Sequence, residues 1–170
     1  MTPSNPDPGP SLKTRWRQTL ALRYFGLAKI PLILFVRPRV LELNDSQCVV
    51  GIPLKRRTQN HLKSMYFGSL AIGADLAAGL LAMQLISKLP NRISLIFKDM
   101  QADFLKRVDG DAVFTCVDSA KIDALLQKVI ASGERYHESI SIQVTAPDKY
   151  GDEILATFAL TLSLKEKDSN

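Results

Sequence analysis

The sequence contains few of the residues from which metal sites and disulfide frameworks are built. Its 170 residues include two cysteines, two histidines and one tryptophan. Two histidines are too few to predict a metal site, and neither cysteine belongs to a CxxC pair. Cys48 and Cys116 lie in apolar, strand-like runs, so we predict buried free thiols. No hydrophobic signal segment opens the chain, and a reducing, cytoplasmic location is expected.

Acidic residues are scarce near the N-terminus, and this uneven distribution explains the net charge of +5. Residues 1–39 hold seven Lys or Arg and one acidic residue, whereas residues 40–170 hold fifteen basic and sixteen acidic residues. The body of the chain is therefore nearly neutral, and the basicity belongs to an N-terminal arm. Such a distribution is poor evidence for nucleic-acid binding, and no nucleic-acid partner is predicted.

The N-terminal arm divides into a tail and a helix. Residues 1–10 hold four prolines and little to bury, so disorder is predicted there. Residues 11–38 are predicted to form a basic amphipathic helix and an apolar connector. Apolar residues recur in the helix at steps of three and four: Leu12, Trp16, Leu20, Tyr24 and Leu27. The preferred interpretation is that this stripe packs on the domain, and the alternative is weak membrane-surface contact through residues 11–29.

The longest apolar stretch runs from Ser69 to Ser87, and Asp75 is the single charged residue inside it. A helix that is apolar all round is buried, either in a protein core or in a membrane. Many glycines and alanines make this helix thin, which suits a sheet wrapped closely around it, so we predict a core helix. Asp75 lies two turns past Gly68, beyond the reach of capping. We prefer a functional carboxylate to a structural or an exposed one.

Strand-like runs flank this helix on both sides. Residues 40–44 and 47–54 are predicted to form a hairpin. Residues 93–108 are predicted to be one long strand with a bulge near Lys98 or Asp99, and Asp109-Gly110-Asp111 to turn it into a return strand at 112–118. A short helix at 119–132, covering a sheet edge or a pocket, precedes the last two strands. The predicted fold is one α+β domain over 39–166, with five or six antiparallel strands curled around one long helix.

This order of elements resembles the hotdog fold of acyl-CoA thioesterases. Asn60, Gly68 and Asp75 match that superfamily's pattern N-x-x-G-x-x-H-G-G followed seven residues later by Asp or Glu. The segment from Phe104 to Asp111 also resembles its strand-turn motif. The resemblance covers about residues 40–165 and is closest to the phenylacetate-type thioesterases and a poorly characterised thioesterase-like branch. The chain departs from the pattern at Lys63, where the family has Gly, and at Tyr66-Phe67, where it has His-Gly.

The resemblance implies a site drawn from both chains of an edge-to-edge homodimer, or of a dimer of dimers. Asp75 would act as general base or as nucleophile, and the Gly68 N–H would polarise the thioester carbonyl. Asn60 would orient the attacking water or the thioester. Tyr66 could donate a hydrogen bond but could not replace the acid–base chemistry of His near neutral pH. Ser64 could help to hold water, and it is not expected to be a nucleophile.

Coenzyme A would be part of the substrate, and no separate cofactor is implied. Its phosphates would be held by basic residues near the motif. The substrate-binding candidates are Lys63, Phe67, Lys106, Arg107 and Arg57. Phe97, Phe104 and residues 31–36 would line an acyl tunnel, although core packing explains them equally well. The predicted function is thus hydrolysis of an acyl thioester of coenzyme A or of acyl-carrier protein; the alternatives are a non-catalytic acyl-thioester or lipid-binding module and a membrane-associated adaptor.

Overall fold

The computed structural model describes residues 11–167, and the predicted disordered tail at 1–10 lies outside the described residues. Eleven elements follow one another in the described part of the chain: α1 Leu12–Ala28, α2 Pro31–Val36, β1 Arg39–Leu43, β2 Cys48–Ile52, α3 Phe67–Ile86, β3 Ile93–Phe104, β4 Ala112–Cys116, α4 Ser119–Ser132, β5 Tyr136–Thr145, α5 Pro147–Tyr150 and β6 Ala156–Glu166.

The six strands form one antiparallel sheet that curves around α3. Their order is β1-β2-β4-β5-β6-β3, and α3 contacts every strand except the edge strand β3 extensively. The approach of helix and sheet is close: a Cβ atom on Gly73 would lie 2.2 Å from Cζ of Phe114. Only glycine fits there. α3 is long and apolar enough to cross a membrane, but more than half of it is buried in the fold, which confirms the predicted core helix.

Several predicted local features are confirmed. β1 and β2 form the expected hairpin, and β3 shifts register against β6 between Phe97 and Met100, which is the expected bulge. α4 ends at Gly133, whose φ is 74°. It packs against α3, β5 and β6, so it covers the middle of the sheet and not an edge. Cys48 and Cys116 face each other on β2 and β4 as buried free thiols.

The predicted hairpin between β3 and β4 is wrong. β3 pairs with β6, and β4 lies between β2 and β5. The Asp-Gly-Asp sequence is instead part of a longer connection, and its carboxylates bind distant segments. Asp111 Oδ1 accepts a hydrogen bond from the backbone N–H of Leu54 at 2.8 Å, and Asp109 Oδ1 accepts one from Tyr150 Oη at 2.7 Å. A turn sequence predicts a local bend, but it does not determine which strands pair.

The preferred interpretation of the N-terminal stripe is also wrong. The face of α1 that packs on the domain contains Thr19, Leu22 and Gly26, and Thr19 Oγ1 accepts a hydrogen bond from the backbone N–H of Val40 at 3.0 Å. The predicted stripe faces solvent, and Trp16 is 65% exposed. Both faces of α1 carry apolar residues, so periodicity could not identify the buried one. The apolar connector forms α2, which packs against α1.

Candidate active site

Asn60 organises the turn that precedes α3. Its Oδ1 accepts hydrogen bonds from the backbone N–H of Leu62 at 2.9 Å and of Ser64 at 3.2 Å, and from Ser64 Oγ at 3.2 Å. This oxygen is therefore occupied, and the amide Nδ2 is the group left to contact a substrate. Ser64 is buried, with its hydroxyl used inside the turn. The Ser64 hydroxyl thus helps to position Asn60, and its predicted role in holding water stays a prediction.

Lys63 has a left-handed backbone, with φ of 61°. This conformation costs a residue with a Cβ atom about 1–2 kcal/mol, and glycine adopts it freely. The backbone of the turn therefore accounts for the glycine that the family pattern has at this position. The Lys63 side chain is exposed and lines none of the cavities described below.

Two further contacts anchor this loop, and sequence analysis missed both. Thr58 is fully buried; its Oγ1 accepts from the backbone N–H of Lys55 at 2.9 Å and donates to the carbonyl of Pro53 at 2.7 Å. The backbone N–H of Met65 donates to the carbonyl of Val108 at 2.7 Å. A threonine in a polar loop carries no signal of such a role, and the second contact joins segments far apart in sequence.

Aromatic rings cover the N-terminus of α3. Tyr66 is the N-cap residue, and its ring centroid lies 4.7 Å from that of Phe67. A Cβ atom on Gly68 would lie 2.6 Å from Tyr66 Cε1, so Gly68 makes room for this ring. The backbone N–H groups of Phe67 and Gly68 belong to the first turn and have no acceptor within the helix. Together with the helix dipole they favour negative charge at this point.

A cavity of about 500 Å³ opens at this end of α3. It brings together six of the predicted site residues: Asn60, Ser64, Tyr66, Phe67, Lys106 and Arg107. Gly68 does not line it, because the ring of Tyr66 covers that residue. Arg57 is separate from it and lies with Lys55 and Arg56 beside another cavity.

The two basic residues of the cavity differ in their surroundings. Lys106 Nζ donates to both carboxylate oxygens of Glu153 at 2.9 and 3.0 Å, and this hydrogen bonding raises the pKa of Lys106. It also lies 4.5 Å from the ring centroid of Tyr150. Arg107 is exposed and makes no hydrogen bond or ion pair with residues 11–167. Arg107 is therefore the cation with its charge still available for a phosphate.

Asp75 lies outside this cavity, on the wall of a larger one of about 810 Å³ bounded by α1, α2, β1, α3 and β3. The lining is mostly aliphatic, and the half-buried carboxylate has no hydrogen bond or ion pair within the described residues. Removal from water raises the pKa of Asp75. Within one chain, then, Asp75 and Asn60 face different cavities.

Gln18 is another polar side chain of the larger cavity, and sequence analysis missed it. Its Nε2 donates to the carbonyl of Leu43 at 3.3 Å. Its Oε1 is buried and accepts no hydrogen bond within the described residues. Nothing in the sequence indicated that Gln18, on a largely apolar and basic helix, faces a cavity.

Comparison with known proteins gives a family and a fold. Residues 19–163 match the model of a family described as a domain of unknown function, DUF4442. No curated protein matches the chain. A solved structure from Pseudomonas aeruginosa, described as a protein of unknown function and probable thioesterase, is 24% identical. The alignment covers 88% of this chain and 96% of that one, with a TM-score of 0.72.

Two further solved structures are similar at lower identity. Zebrafish thioesterase superfamily member 2 is 13% identical over 89% of this chain and 96% of its own, with a TM-score of 0.60. A mutant of a thioesterase enzyme from Staphylococcus aureus is 14% identical over 79% and 98%, also with a TM-score of 0.60. These similarities establish the shared hotdog fold, and they confirm the fold class and the resemblance that the sequence suggested.

Proposed function

The chain belongs to the DUF4442 family, described as a domain of unknown function, and we propose that it is a thioesterase acting on acyl thioesters of coenzyme A or of acyl-carrier protein. Asp75 is the observation that carries the proposal. An ionisable group without a partner on an apolar wall is costly, and such groups are concentrated at functional sites. The neighbours described as thioesterases support the same class of reaction.

Asp75 would serve as the general base. Its raised pKa makes the carboxylate a stronger proton acceptor than an exposed aspartate. As water attacks the thioester carbonyl carbon, its proton passes to Asp75. When the tetrahedral intermediate collapses, the C–S bond breaks and the departing sulfur takes that proton. The products are a carboxylic acid and a thiol, and Asp75 returns to its ionised form.

Hydrogen-bond donors at the start of α3 would stabilise the negative charge that develops on the carbonyl oxygen. The Gly68 N–H is one donor, with the ring of Tyr66 moving aside to admit the thioester. Asn60 Nδ2 is the second, since Oδ1 is already bound within its own turn. Asn60 would therefore orient the thioester and not the water. A Tyr66 hydroxyl can add a further donor, but it supplies no base.

A homodimer would bring these two half-sites together. β3 is an edge strand of twelve residues, and along it Ile96, Met100 and Phe104 are exposed. Long apolar edges are normally covered, and pairing of β3 with a second copy would cover this one. Asp75 of one copy would then act with Asn60 and Gly68 of the other. The aliphatic cavity beside Asp75 would take the acyl chain, and Arg107 would bind phosphate.

Thiol release from acyl-CoAs of short, medium, long and aromatic type tests the reaction. We expect Asp75→Asn to lower kcat/KM at least about a hundredfold, the usual scale of a lost general base. Asp123→Asn is the matched control, because this exposed aspartate lies on α4, away from both cavities. An Asp75→Asn enzyme as active as the wild type would refute the assignment.

Mixing two inactive variants tests the shared site. Asp75→Asn and Asn60→Ala each disable every site in their own dimers. In a reassorted mixture, one of the two sites in each mixed dimer is intact, so about a quarter of wild-type activity should return. If no activity returns although mass spectrometry detects mixed dimers, each site is formed within one chain.

The second candidate is a non-catalytic acyl-thioester-binding module. The observation that favours it is Tyr66, which stands where the family pattern has His and leaves the smaller cavity without a conventional acid–base group at that position. Isothermal titration with a non-hydrolysable acyl-CoA thioether separates the two candidates. Binding without thiol release from any acyl-CoA would identify a binding module. The variant Tyr66→His should then gain hydrolysis if the missing imidazole is the reason.

A further inference from the structure

The first two helices form the most apolar exposed surface of the protein. The described residues expose nineteen large apolar side chains, and nine of these lie within residues 12–35. We call these nine the N-terminal surface: Leu12, Trp16, Leu20, Tyr24, Phe25, Leu27, Ile30, Leu32 and Phe35. Single exposed apolar residues are normal in soluble proteins, but their concentration in one segment indicates a binding surface.

The α1 stripe of Leu12, Trp16, Leu20, Tyr24 and Leu27 points away from the domain. On α1 the buried residues Thr19, Leu22 and Gly26 form one face, and residues three or four apart share a face. The stripe that contains Trp16 and Leu20 therefore lies on a different side of the helix. The fold packs α1 through its narrow buried face and uses none of this stripe, so its apolar residues are available to a partner.

The same segment is strongly basic. Residues 11–41 contain seven Lys or Arg and no Asp or Glu. The side chains of Lys13, Arg17 and Lys29 are exposed and form no hydrogen bond or ion pair with residues 11–167. An apolar stripe edged with unneutralised positive charge matches a partner that is apolar inside and negative at its surface.

We propose that the N-terminal surface docks on an anionic phospholipid bilayer. Exposed tryptophan and tyrosine are enriched at membrane–water interfaces, and basic residues beside them attract anionic lipid headgroups. A second copy of this chain fits poorly, because the exposed cations Lys13, Arg17 and Lys29 would face the same cations of the partner. A nucleic acid fits poorly too, since interfaces with DNA are polar and do not require a stripe of leucines. The bilayer is the one partner that matches both the apolar stripe and the charge.

The docked orientation has a consequence for the cavity of about 810 Å³. Phe25 and Ile30 belong to the N-terminal surface and also line that cavity. Phe25 projects from the side of α1 opposite Trp16, so docking brings the cavity close to lipid at Ile30, just past the end of α1. Resting on the proposed thioesterase function, this arrangement gives an acyl chain a path between the bilayer and the cavity without crossing water.

The full chain and vesicles test the docking directly. Trp16 is the single tryptophan, so its fluorescence reports on this surface alone. We expect its emission to shift to shorter wavelength with vesicles of phosphatidylcholine and phosphatidylserine, and little with phosphatidylcholine alone. Flotation should show the same preference and weaken with salt. Replacing Lys13, Arg17 and Lys29 with Gln should lower partitioning about a hundredfold, since each basic residue near the surface contributes about fivefold.

A pair of matched variants separates the stripe from apolar exposure in general. Trp16→Ser with Leu20→Ser removes two side chains that are 65% and 53% exposed, and we expect flotation to be lost. Leu105→Ser with Val117→Ser removes two that are 64% and 61% exposed elsewhere, and flotation should be retained. Circular dichroism confirms that both variants fold.

Three results would overturn the proposal. One is the absence of both flotation and a Trp16 shift at low salt. Another is equal loss of flotation in the two double-serine variants. The third is a change in oligomeric state on Trp16→Ser with Leu20→Ser, without lipid binding by the wild type, which would make this surface an interface between copies. Asp75→Asn should float like the wild type, so docking and hydrolysis can fail independently.

Discussion

Gly73→Ala should destabilise the protein, although alanine is the better helix former. The added Cβ atom would lie 2.2, 2.3 and 2.5 Å from three ring atoms of Phe114. Phe114 is fully buried between α3 and the sheet, so its ring cannot move aside into solvent. Overpacking of this kind typically costs 1–3 kcal/mol, and three simultaneous contacts place it near about 3 kcal/mol. The higher helix propensity of alanine offsets about 1 kcal/mol of this destabilisation.

The net loss is therefore about 2 kcal/mol, equivalent to a Tm about 4–8 °C lower for a chain of this size. Gly79→Ala is the matched control on the same helix. The nearest atom to its added Cβ is Phe97 Cε2 at 3.7 Å, an ordinary contact. That variant should gain up to about 1 kcal/mol. Thermal and urea unfolding at equal protein concentration measure the stability of both variants.

A second substitution tests the cause. Phe114→Leu shortens the side chain with which the added Cβ of Gly73→Ala clashes. The double variant of Gly73→Ala with Phe114→Leu should therefore be more stable, by about 1 kcal/mol or more, than the sum of the two single effects predicts. Gly73→Ala as stable as Gly79→Ala would refute the close packing of α3 on β4. Additive single effects would show that Phe114 is not the obstacle.

Three further predictions follow from the site and the core. Asp75→Asn should be more stable than the wild type at pH 7, by about 1 kcal/mol, because it removes a half-buried charge that has no hydrogen-bond or ion-pair partner within the described residues. Burial raises the pKa of Asp75, so the folded wild type loses stability as pH rises through that pKa. Urea unfolding should therefore show the difference in stability between the variant and the wild type vanishing at pH values below 3.8, the ordinary pKa of aspartate. A difference in stability that is independent of pH would contradict this. Lys63→Gly should gain about 0.5–1 kcal/mol by relieving the left-handed backbone, whereas Lys63→Ala, which loses the same charge and keeps Cβ, should gain nothing. The native thiols should not react with a thiol reagent at pH 8, because burial raises the pKa of Cys116 to about 11 and that of Cys48 further, and both should react once the chain is unfolded.

Local sequence predicted those features that depend on neighbouring residues. The run from Ser69 to Ser87 is apolar on all sides and rich in small residues, which left a thin, buried helix as its natural state. Alternation and turn residues predicted the β1–β2 hairpin and the two long last strands. The spacing of Asn60, Gly68 and Asp75 suggested the hotdog family.

The tertiary structure decided what depends on competition between distant segments. Residues 105–111 look like a hairpin turn, but β6 is the strand that pairs with β3, and no local pattern encodes that choice. α1 has two apolar faces, and only packing against Val40 and α2 determines which one is buried. Asp75 and Asn60 are fifteen residues apart in sequence, yet they face separate cavities, because Asn60 lies in the turn before α3 and Asp75 lies two turns into the helix. Sequence by itself thus determined the elements and the chemistry-bearing residues, and the fold determined which of those residues meet, because burial and pairing are properties of the whole chain.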